Sequence, residues 1–218
     1  SSLYLRIEEE GMDGEAWEKL WKEAKAAQRQ KGYQQAYRSM EAAVKETEGE
    51  MLFYQSKVCE GVFHRISSGA TRDGLEVFGK MEKGYLLSVD SNWDMYGDGY
   101  LSGHYFSEEA LREQLEKAYP GLVFTQEPLE KQINMHKRDK VGHILSLTVG
   151  NETISGEEFR KLLELPSSNF TMQAADGKIR FLCKGQGHGL GLSQYGGNVL
   201  AKEGKSYKEI LRYYFPEC

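Results

Sequence analysis

Apolar residues recur along this chain with two periods, one typical of helices and the other typical of strands. Between residues 14 and 30, Trp17, Leu20, Trp21 and Ala24 return every three or four positions. This spacing places them on one face of an α-helix, so the segment is predicted to be an amphipathic helix.

Four further helices are predicted, and Ser-x-x-Glu capping boxes mark the starts of two of them. The boxes are Ser155 with Glu158 and Ser206 with Glu209, in which each side chain can bond to the other residue's backbone N–H. Ser107 is predicted to cap another helix. The predicted helices are 107–119, 156–165, 193–203 and 206–214.

Strands are predicted where apolar and polar residues alternate between turn residues. Residues 43–54 are interpreted as a strand, a turn at Gly49 and a returning strand. The Ala-Asp-Gly turn at 175–177 predicts a hairpin. The other predicted strands are 3–7, 58–66, 142–149, 169–174 and 178–183.

These elements together predict an α+β fold. We expect a curved, antiparallel, barrel-like sheet core with helices packed around it. Residues 1–218 are interpreted as a single domain, within which 95–140 is a candidate accessory lobe.

The net charge and the cysteines argue against several classes of protein. The formal net charge of -5 argues against a general nucleic-acid binder, which usually has a basic excess. Cys59, Cys183 and Cys218 are too few and too scattered for a disulfide framework or a spaced zinc site, although one pair could bridge. The five histidines show no metal-ligand spacing, so neither a metal nor a cofactor is expected.

The densest chemistry lies in residues 185–197, which read G-Q-G-H-G-L-G-L-S-Q-Y-G-G. Alternate glycines permit positive φ and close approach of other groups. Because a helix is predicted to follow, free backbone N–H groups could bind a polar ligand here. The alternative is a tight strand-to-helix turn in which His188 is packed. The spacing is neither a dinucleotide fingerprint nor a phosphate loop.

This G-H-G-x-G-x-S-Q-Y-G stretch resembles the stage II sporulation protein D family. Other segments are also similar to the family pattern, among them S-S-G-A-T at 67–71, Y-L-L-S-V-D-S-N-W-D at 85–94 and I-L-R-Y-Y at 210–214. His143 stands where the family usually has Arg. The resemblance extends from about residue 33 to the end of the sequence.

The resemblance implies a lytic transglycosylase, which cuts the β-1,4 bond between N-acetylmuramic acid and N-acetylglucosamine in peptidoglycan. A single Glu would act as acid and then as base, while the muramyl C6 hydroxyl closes a 1,6-anhydro ring. Setting the first helix against the family pattern puts this Glu at Glu10, with Glu9 as the alternative. The acidic run at 8–10 could instead be a solvated segment that favours the following helix N-terminus.

The resemblance also implies a set of glycan-binding residues. His188 and Gln194 would hold sugar oxygens or stabilise oxocarbenium character, with His188 as an alternative general base, and Tyr195 would stack or support the loop. The residues implied to line the groove are Ser68, Gly69, Thr71, His188, Ser193, Gln194 and Tyr195.

Two other functions remain open at this point. One is a catalytically weak glycan-binding relative that stimulates another cell-wall hydrolase, as amidase enhancers of related sequence do. The other is a hydrolytic muramidase, for which Asp90 or Asp94 could supply the second carboxylate that hydrolysis needs.

The setting implied by the resemblance is the bacterial cell wall or septum, outside the membrane. The expected partners are peptidoglycan glycan strands and, beyond them, other cell-wall hydrolases or membrane-anchored sporulation proteins. No stretch approaches ~18 consecutive apolar residues, so anchoring is expected through a segment that precedes this sequence.

Overall fold

The computed structural model describes residues 14–218, apart from the side chains at 14–17, 20, 21, 24 and 175. The chain divides into two compact units, Ser1–Met51 and Leu52–Cys218. Helix α1, Gly14–Glu46, makes up most of the described part of the first unit. Glu9, Glu10 and the strand predicted at 3–7 lie outside the described residues. A single domain over 1–218 stays a prediction.

The other helices of the described residues all lie in the second unit, and all of them are short. They are α2 (Gly74–Phe78), α3 (Glu108–Ala118), α4 (Gly156–Leu162), α5 (Gln194–Lys202) and α6 (Tyr207–Tyr214). Single 3-10 turns occur at Met81–Lys83, Asn92–Tyr96 and Leu129–Gln132.

The strands fall into long and very short ones. The short strands are β1 (Phe53–Tyr54), β2 (Lys57–Val58), β3 (Phe63–His64), β7 (Glu152–Ile154) and β10 (Leu192–Ser193). The longer strands are β4 (Leu101–Ser107), β5 (Ile133–Arg138), β6 (Ile144–Val149), β8 (Phe170–Ala175) and β9 (Lys178–Lys184).

Together with the short strand β7, the longer strands build two antiparallel three-stranded sheets, ordered β4-β9-β8 and β5-β6-β7. In the first sheet, β9 pairs with β4 on one side and with β8 across the predicted hairpin on the other. Residues 95–140 contribute β4 to one sheet and β5 to the other, so this segment is part of both sheets.

An apolar core packs against these two sheets. Leu111 and Leu115 of α3 and Phe159 of α4 are fully buried in it. Phe159, Phe170 and Phe181 form an aromatic group with ring centroids 5.4–5.7 Å apart. Each such side chain contributes about 1.5–3 kcal/mol by leaving water, so this core holds the sheets and helices together.

A second, smaller apolar cluster lies where α5 and α6 meet the loops at 85–93. Tyr85, Tyr214 and Phe215 are its largest buried side chains. The Tyr214 hydroxyl is 2.9 Å from that of Ser91, which satisfies both polar groups inside the cluster.

The helix caps predicted at Ser107, Ser155 and Ser206 are confirmed, and the cap predicted at Asp13 lies outside the described residues. The Ser107 hydroxyl accepts a hydrogen bond from the N–H of Ala110 at 3.1 Å. Ser155 and Ser206 each form the reciprocal capping box with the Glu three residues later. Because these bonds are local, a short sequence pattern is enough to predict them.

Two predicted strands are wrong. Residues 43–46 continue helix α1, which runs 16 residues beyond the predicted end at 30 and is followed by a turn at 47–49. Ala42, Ala43 and Lys45 are good helix formers, and no Pro or cap interrupts the helix before Gly49. Within 58–66, only residue 58, at the end of β2, and residues 63–64, which form β3, are strand, and Gly61 lies in the irregular segment between them.

The predicted α+β class is confirmed. The described strands form the two three-stranded sheets and two two-stranded pairs, and no closed barrel is found among them. One of these pairs, β3 with β10, is parallel. No helix in residues 14–218 combines the length and apolar character that a membrane span requires.

Candidate active site

The glycine-rich loop at 185–191 runs from β9 to β10 and packs closely on residues 62–72. Its four glycines all have positive φ, between 67° and 108°. A Cβ on Gly191 would lie only 2.2 Å from the carbonyl oxygen of Val62. Glycine is therefore required at 191 both for the backbone conformation and for the contact.

The backbone N–H groups of this loop are used within the protein. Gln186 N–H donates to the carbonyl of Ile66 at 2.7 Å, and Gly187 N–H donates to that of Pro166 at 2.8 Å. At the N-terminus of α5, the N–H groups of Tyr195 and Gly196 bond to Arg65 O and Ser193 Oγ. The hypothesis that free N–H groups here bind a ligand is therefore wrong for these four donors, since the loop uses them to hold itself on residues 62–72.

Two histidines bracket the backbone of Leu190. His64 Nδ1 lies 3.0 Å from the Leu190 carbonyl oxygen, so this nitrogen carries a proton and donates. The Leu190 N–H donates to His188 Nδ1 at 3.1 Å, so this nitrogen is the acceptor. The neutral ring of His188 therefore carries its proton on Nε2, while His64 Nε2 is a buried acceptor with no hydrogen-bond partner.

Burial keeps these rings neutral near pH 7. It lowers the pKa of His64 from 6.5 to about 4, although the bond to the Leu190 carbonyl opposes this. Burial also lowers the pKa of His188, against the charge of Glu157. The pKa of His143 lies well below its usual range because of burial and, secondly, Arg72. The neutral His188 ring therefore has a donor at Nε2, and the ring also has a hydrogen bond to the Phe63 backbone, which opposes the lowering of its pKa.

A buried ion pair positions the His188 backbone. Arg72 Nε donates to Asp139 Oδ2 at 2.5 Å, and their side chains are 4% and 0% exposed. Arg72 also donates from a guanidinium NH₂ group to the His188 carbonyl at 3.1 Å. The other Asp139 oxygen accepts the N–H groups of Val141 and His143. The pair thus connects the loop at 139–143 with the glycine-rich loop.

Ser68 and His143 lie on the same side of the glycine-rich loop. Ser68 Oγ is 3.3 Å from His143 Nε2, and His143 Nδ1 is 3.0 Å from Ser168 Oγ. A Cβ on Gly189 would lie 3.0 Å from His143 Nε2, which shows how closely the ring approaches the loop. His143 is therefore a buried support for Ser68 and the loop.

His188 borders a cavity of about 540 Å³ in the second unit. Arg72 and Leu190 also line it, and α4 contributes Glu157 and Arg160. Glu157 and Arg160 form an ion pair at 2.6 Å, while the second carboxylate oxygen of Glu157 is buried without a hydrogen-bond partner. The cavity therefore combines apolar walls with paired charges and a histidine donor.

His188 is the one predicted groove residue that lines this cavity. Gln194 and Tyr195 line a different cavity of about 440 Å³, together with Arg65 and Asn198. The predicted groove residues thus do not all face one space in the second unit.

Thr71 and Ser193 are fully buried, and their hydroxyls are engaged internally. Thr71 Oγ1 donates to the Leu87 carbonyl and accepts from the Val89 N–H. Ser193 Oγ caps α5 at the N–H of Gly196. The geometry favours a structural role for both side chains. Ser68 and Gly69, in contrast, are half-buried and adjacent to the His143 support.

Asp90 and Asp94, the candidates for the second carboxylate of a muramidase, differ in their exposure to solvent. Asp94 is completely buried, and its Oδ2 accepts the N–H of Ser67 at 2.7 Å. Asp90 is exposed, and its backbone carbonyl accepts the Tyr213 hydroxyl. Asp94 therefore holds the loop at 67–69 and is closed to a glycan.

Sequence reasoning missed four residues that shape this site: His64, Arg72, Asp139 and Glu157. The sequence carries no local pattern for the Arg72–Asp139 pair, because 67 residues separate its members. Among the described residues, no group of three or more His, Cys, Asp or Glu side chains is arranged to hold a metal ion.

Comparison with known proteins identifies the relatives of this chain. Stage II sporulation protein D of Bacillus amyloliquefaciens is 31% identical over 192 residues, and the protein of the same name from Bacillus subtilis is 28% identical over 184 residues. The chain is a homologue of stage II sporulation protein D. The match covers 84% of this chain and 51% of each relative, so the chain spans about half the length of these proteins.

A shorter match involves a protein with a different name. The amidase enhancer of Bacillus subtilis is 42% identical over 50 residues, which is 23% of this chain and 7% of that protein. No family model matches the chain.

Proposed function

We propose that this chain is the catalytic region of a peptidoglycan lytic transglycosylase that acts during sporulation. The names of the relatives support a role in sporulation and in the cell wall. The observation that carries the proposal is the glycine-rich loop, whose packing holds His188 as a neutral donor at the edge of the 540 Å³ cavity.

The proposed reaction uses one carboxyl group and the substrate's own hydroxyl. The neutral acid donates its proton to the glycosidic oxygen between N-acetylmuramic acid and N-acetylglucosamine, and the C1–O bond breaks. The resulting carboxylate then takes the proton of the muramyl C6 hydroxyl as that oxygen bonds to C1. The group ends as it began, as a carboxylic acid, and the product carries a 1,6-anhydro ring.

Glu10 is the proposed acid and base, with Glu9 as the alternative. Both lie outside the described residues, so the assignment rests on the sequence pattern around the first helix. A carboxyl group that must be protonated near pH 7 needs an apolar surrounding that raises its pKa.

The described residues would bind and orient the glycan. His188 would donate from Nε2 to a sugar oxygen in exchange for the ring's hydrogen bond to the Phe63 backbone, while its other nitrogen is held by the Leu190 N–H. Arg72 fixes the His188 carbonyl and so limits movement of the ring. Ser68, whose hydroxyl lies 3.3 Å from His143 Nε2, offers a hydroxyl group as a second polar contact for the glycan.

A second function is a glycan-binding protein that stimulates another cell-wall hydrolase. The match to the amidase enhancer favours it. In this function the loop would keep its glycan contacts while no carboxyl group acts on the bond. The proposed partners are glycan strands in both cases, with a hydrolase as an additional partner here, and the proposed location is outside the cell membrane.

The test is digestion of purified peptidoglycan, and of glycan strands stripped of stem peptides, followed by mass spectrometry of the products. We expect 1,6-anhydromuramyl ends with the wild type and their loss in Glu10→Gln. Glu9→Gln tests the alternative, and Glu8→Gln is the matched control from the same acidic run. Reducing muramyl ends in place of anhydro ends would establish hydrolysis, and glycan binding without cleavage would establish the second function.

His188→Gln provides a test of the described part of the site. The variant removes the ring while keeping a hydrogen-bond donor, and we expect at least a tenfold loss of kcat/KM with retained folding. His136→Gln is the control, because His136 is exposed on β5 and far along the chain from the glycine-rich loop.

A further inference from the structure

Two cysteines that are 159 residues apart in sequence lie side by side in the second unit. The sulfur atoms of Cys59 and Cys218 are 3.3 Å apart, and both cysteines are present as thiols. A disulfide bond is about 2.05 Å long. The sulfurs therefore need to approach by only a little more than 1 Å to bond.

The surrounding structure holds both cysteines in these positions. The Cys59 N–H donates to the Leu52 carbonyl across the β1–β2 hairpin, and the Cys218 N–H donates to the Phe215 carbonyl. Each thiol therefore belongs to a segment with its own backbone hydrogen bonds.

Tyr85 connects the two segments from inside the second apolar cluster. Its hydroxyl donates to the carbonyl of Glu60, the neighbour of Cys59, at 3.1 Å. Its ring stacks on Phe215 with centroids 6.4 Å apart and also contacts Tyr54 at 5.9 Å. Because Tyr85 is 2% exposed, it is a fixed support for both segments.

The third cysteine is excluded from this pair. Cys183 lies on β9 and is completely buried in the core of the two sheets. It therefore serves as an internal control for any reaction at the other two thiols.

We propose that Cys59 and Cys218 form an intramolecular disulfide when the protein meets a small-molecule disulfide oxidant. One thiolate attacks the oxidant and releases one of its thiols; the other cysteine thiolate then attacks the protein-bound sulfur and releases the second. The two cysteine thiols are oxidised to one disulfide, and the disulfide of the oxidant is reduced to two thiols. The two protons of the cysteine thiols end on the two thiols that the oxidant releases. The proximity of the second cysteine favours closure over a lasting mixed disulfide.

The bond would attach the wall of the 540 Å³ cavity to the segment that follows α6. Glu60 and Val62, next to Cys59, line this cavity. Apart from the Tyr85 hydrogen bond to Glu60, this wall contains two-residue strands and the Lys83–Glu60 ion pair, in which Glu60 is 77% exposed. The cross-link would therefore restrict a part of the cavity wall that has little regular structure.

The first test is a thiol count and peptide map of the whole chain after treatment with oxidised glutathione. Trypsin cleaves after Lys57 and Arg65, after Arg180 and Lys184, and after Arg212. Each cysteine therefore lies in a separate peptide. We expect one remaining thiol, at Cys183, and a linked pair of peptides carrying Cys59 and Cys218. Three remaining thiols, stable glutathione adducts or covalent dimers would overturn the proposal.

The second test compares the melting temperature in oxidising and reducing buffer. A cross-link over so long a loop is expected to raise Tm by roughly 5–15 °C. Cys59→Ser and Cys218→Ser should each abolish the difference between the two buffers. The same Tm for oxidised and reduced wild type would contradict the proposed disulfide, and so would a Tm difference between the two buffers that persists in both serine variants. Neither measurement depends on the enzymatic proposal.

Discussion

The two sheets and the glycine-rich loop are built in different ways. In the β4-β9-β8 sheet, strands of six or seven residues pair in regular ladders, and the described side chains that are buried on these strands are all apolar or Cys. Around the loop, β3 and β10 have two residues each. The buried residues of that region include many polar ones: His64, Ser67, Thr71, Arg72, Asp94 and Ser193.

The difference follows from how each region satisfies its backbone. A ladder bonds its own N–H and C=O groups, so side chains are free to be apolar. Irregular segments lack that pairing, and buried side chains such as Asp94, Thr71 and His64 must supply the partners. The site region therefore depends on specific polar pairs, whereas the sheets depend on apolar volume.

Arg72→Met breaks the most deeply buried of these pairs. It leaves the Asp139 carboxylate buried without its cation, and removal of one member of a buried ion pair costs about 3–5 kcal/mol. Urea denaturation should show this loss in the free energy of unfolding. Lys131→Met is the control, because the Lys131–Glu127 pair is 64% and 63% exposed and should contribute less than about 1 kcal/mol. Equal effects of the two variants would refute the role given to the buried pair.

His64→Asn tests the neutral histidine. The pKa of His64 is lower in the folded protein than in the unfolded chain, so the unfolded chain binds more protons between pH 6.5 and about 4. Stability should be complete above pH 6.5 and fall as the pH drops toward 4, by roughly 3 kcal/mol from this group. Asn can still donate to Leu190 but does not titrate.

The measurement is the free energy of unfolding from pH 7 to pH 4. The wild type should lose more stability over this range than His64→Asn. His136→Gln, a variant of an exposed histidine, is the control and should lose as much stability as the wild type. His143, which is also buried, contributes to the acid loss in all three proteins, so only the difference between them is diagnostic. Identical pH slopes in wild type and His64→Asn would show that the pKa of His64 is the same in the folded and the unfolded protein, which would contradict the prediction.

Gly191→Ala compares the loop with the hairpin of the sheets. Gly191 and Gly177 have nearly equal positive φ values of 67° and 70°, but only Gly191 faces a backbone oxygen. Strain alone costs Gly177→Ala about 1 kcal/mol, and the contact with Val62 should add about 1–2 kcal/mol to Gly191→Ala. Thermal melts of both variants give the difference. If the two cost the same, the close packing of the loop does not contribute to stability.

Local patterns could be predicted well from the sequence. The capping boxes at Ser155 and Ser206 and the hairpin at 175–177 involve residues within a few positions of one another, and all are present. The end of α1 was missed because residues 43–46 suit either a helix or a strand when read as a short apolar segment.

The position of the candidate site could be predicted from the sequence, but its hydrogen bonds could not. The glycine spacing indicated a close backbone approach at 185–191, and Gly191 against Val62 is such an approach. Nothing in the spacing indicated that the loop's N–H groups would bond to Ile66 and Pro166 and so be unavailable to a ligand. Both acceptors are far away in sequence.

By itself, the sequence determined the α+β class, the helix starts, the central hairpin and the position of the unusual loop, because each depends on neighbouring residues. Only the tertiary structure decided which side chains of that region face a cavity and which form hydrogen bonds within the protein. Thr71, Ser193 and Asp94 are buried and hydrogen-bonded within the protein, while His188 lines the 540 Å³ cavity. That division depends on contacts between distant segments, and such contacts leave no periodic pattern along the chain.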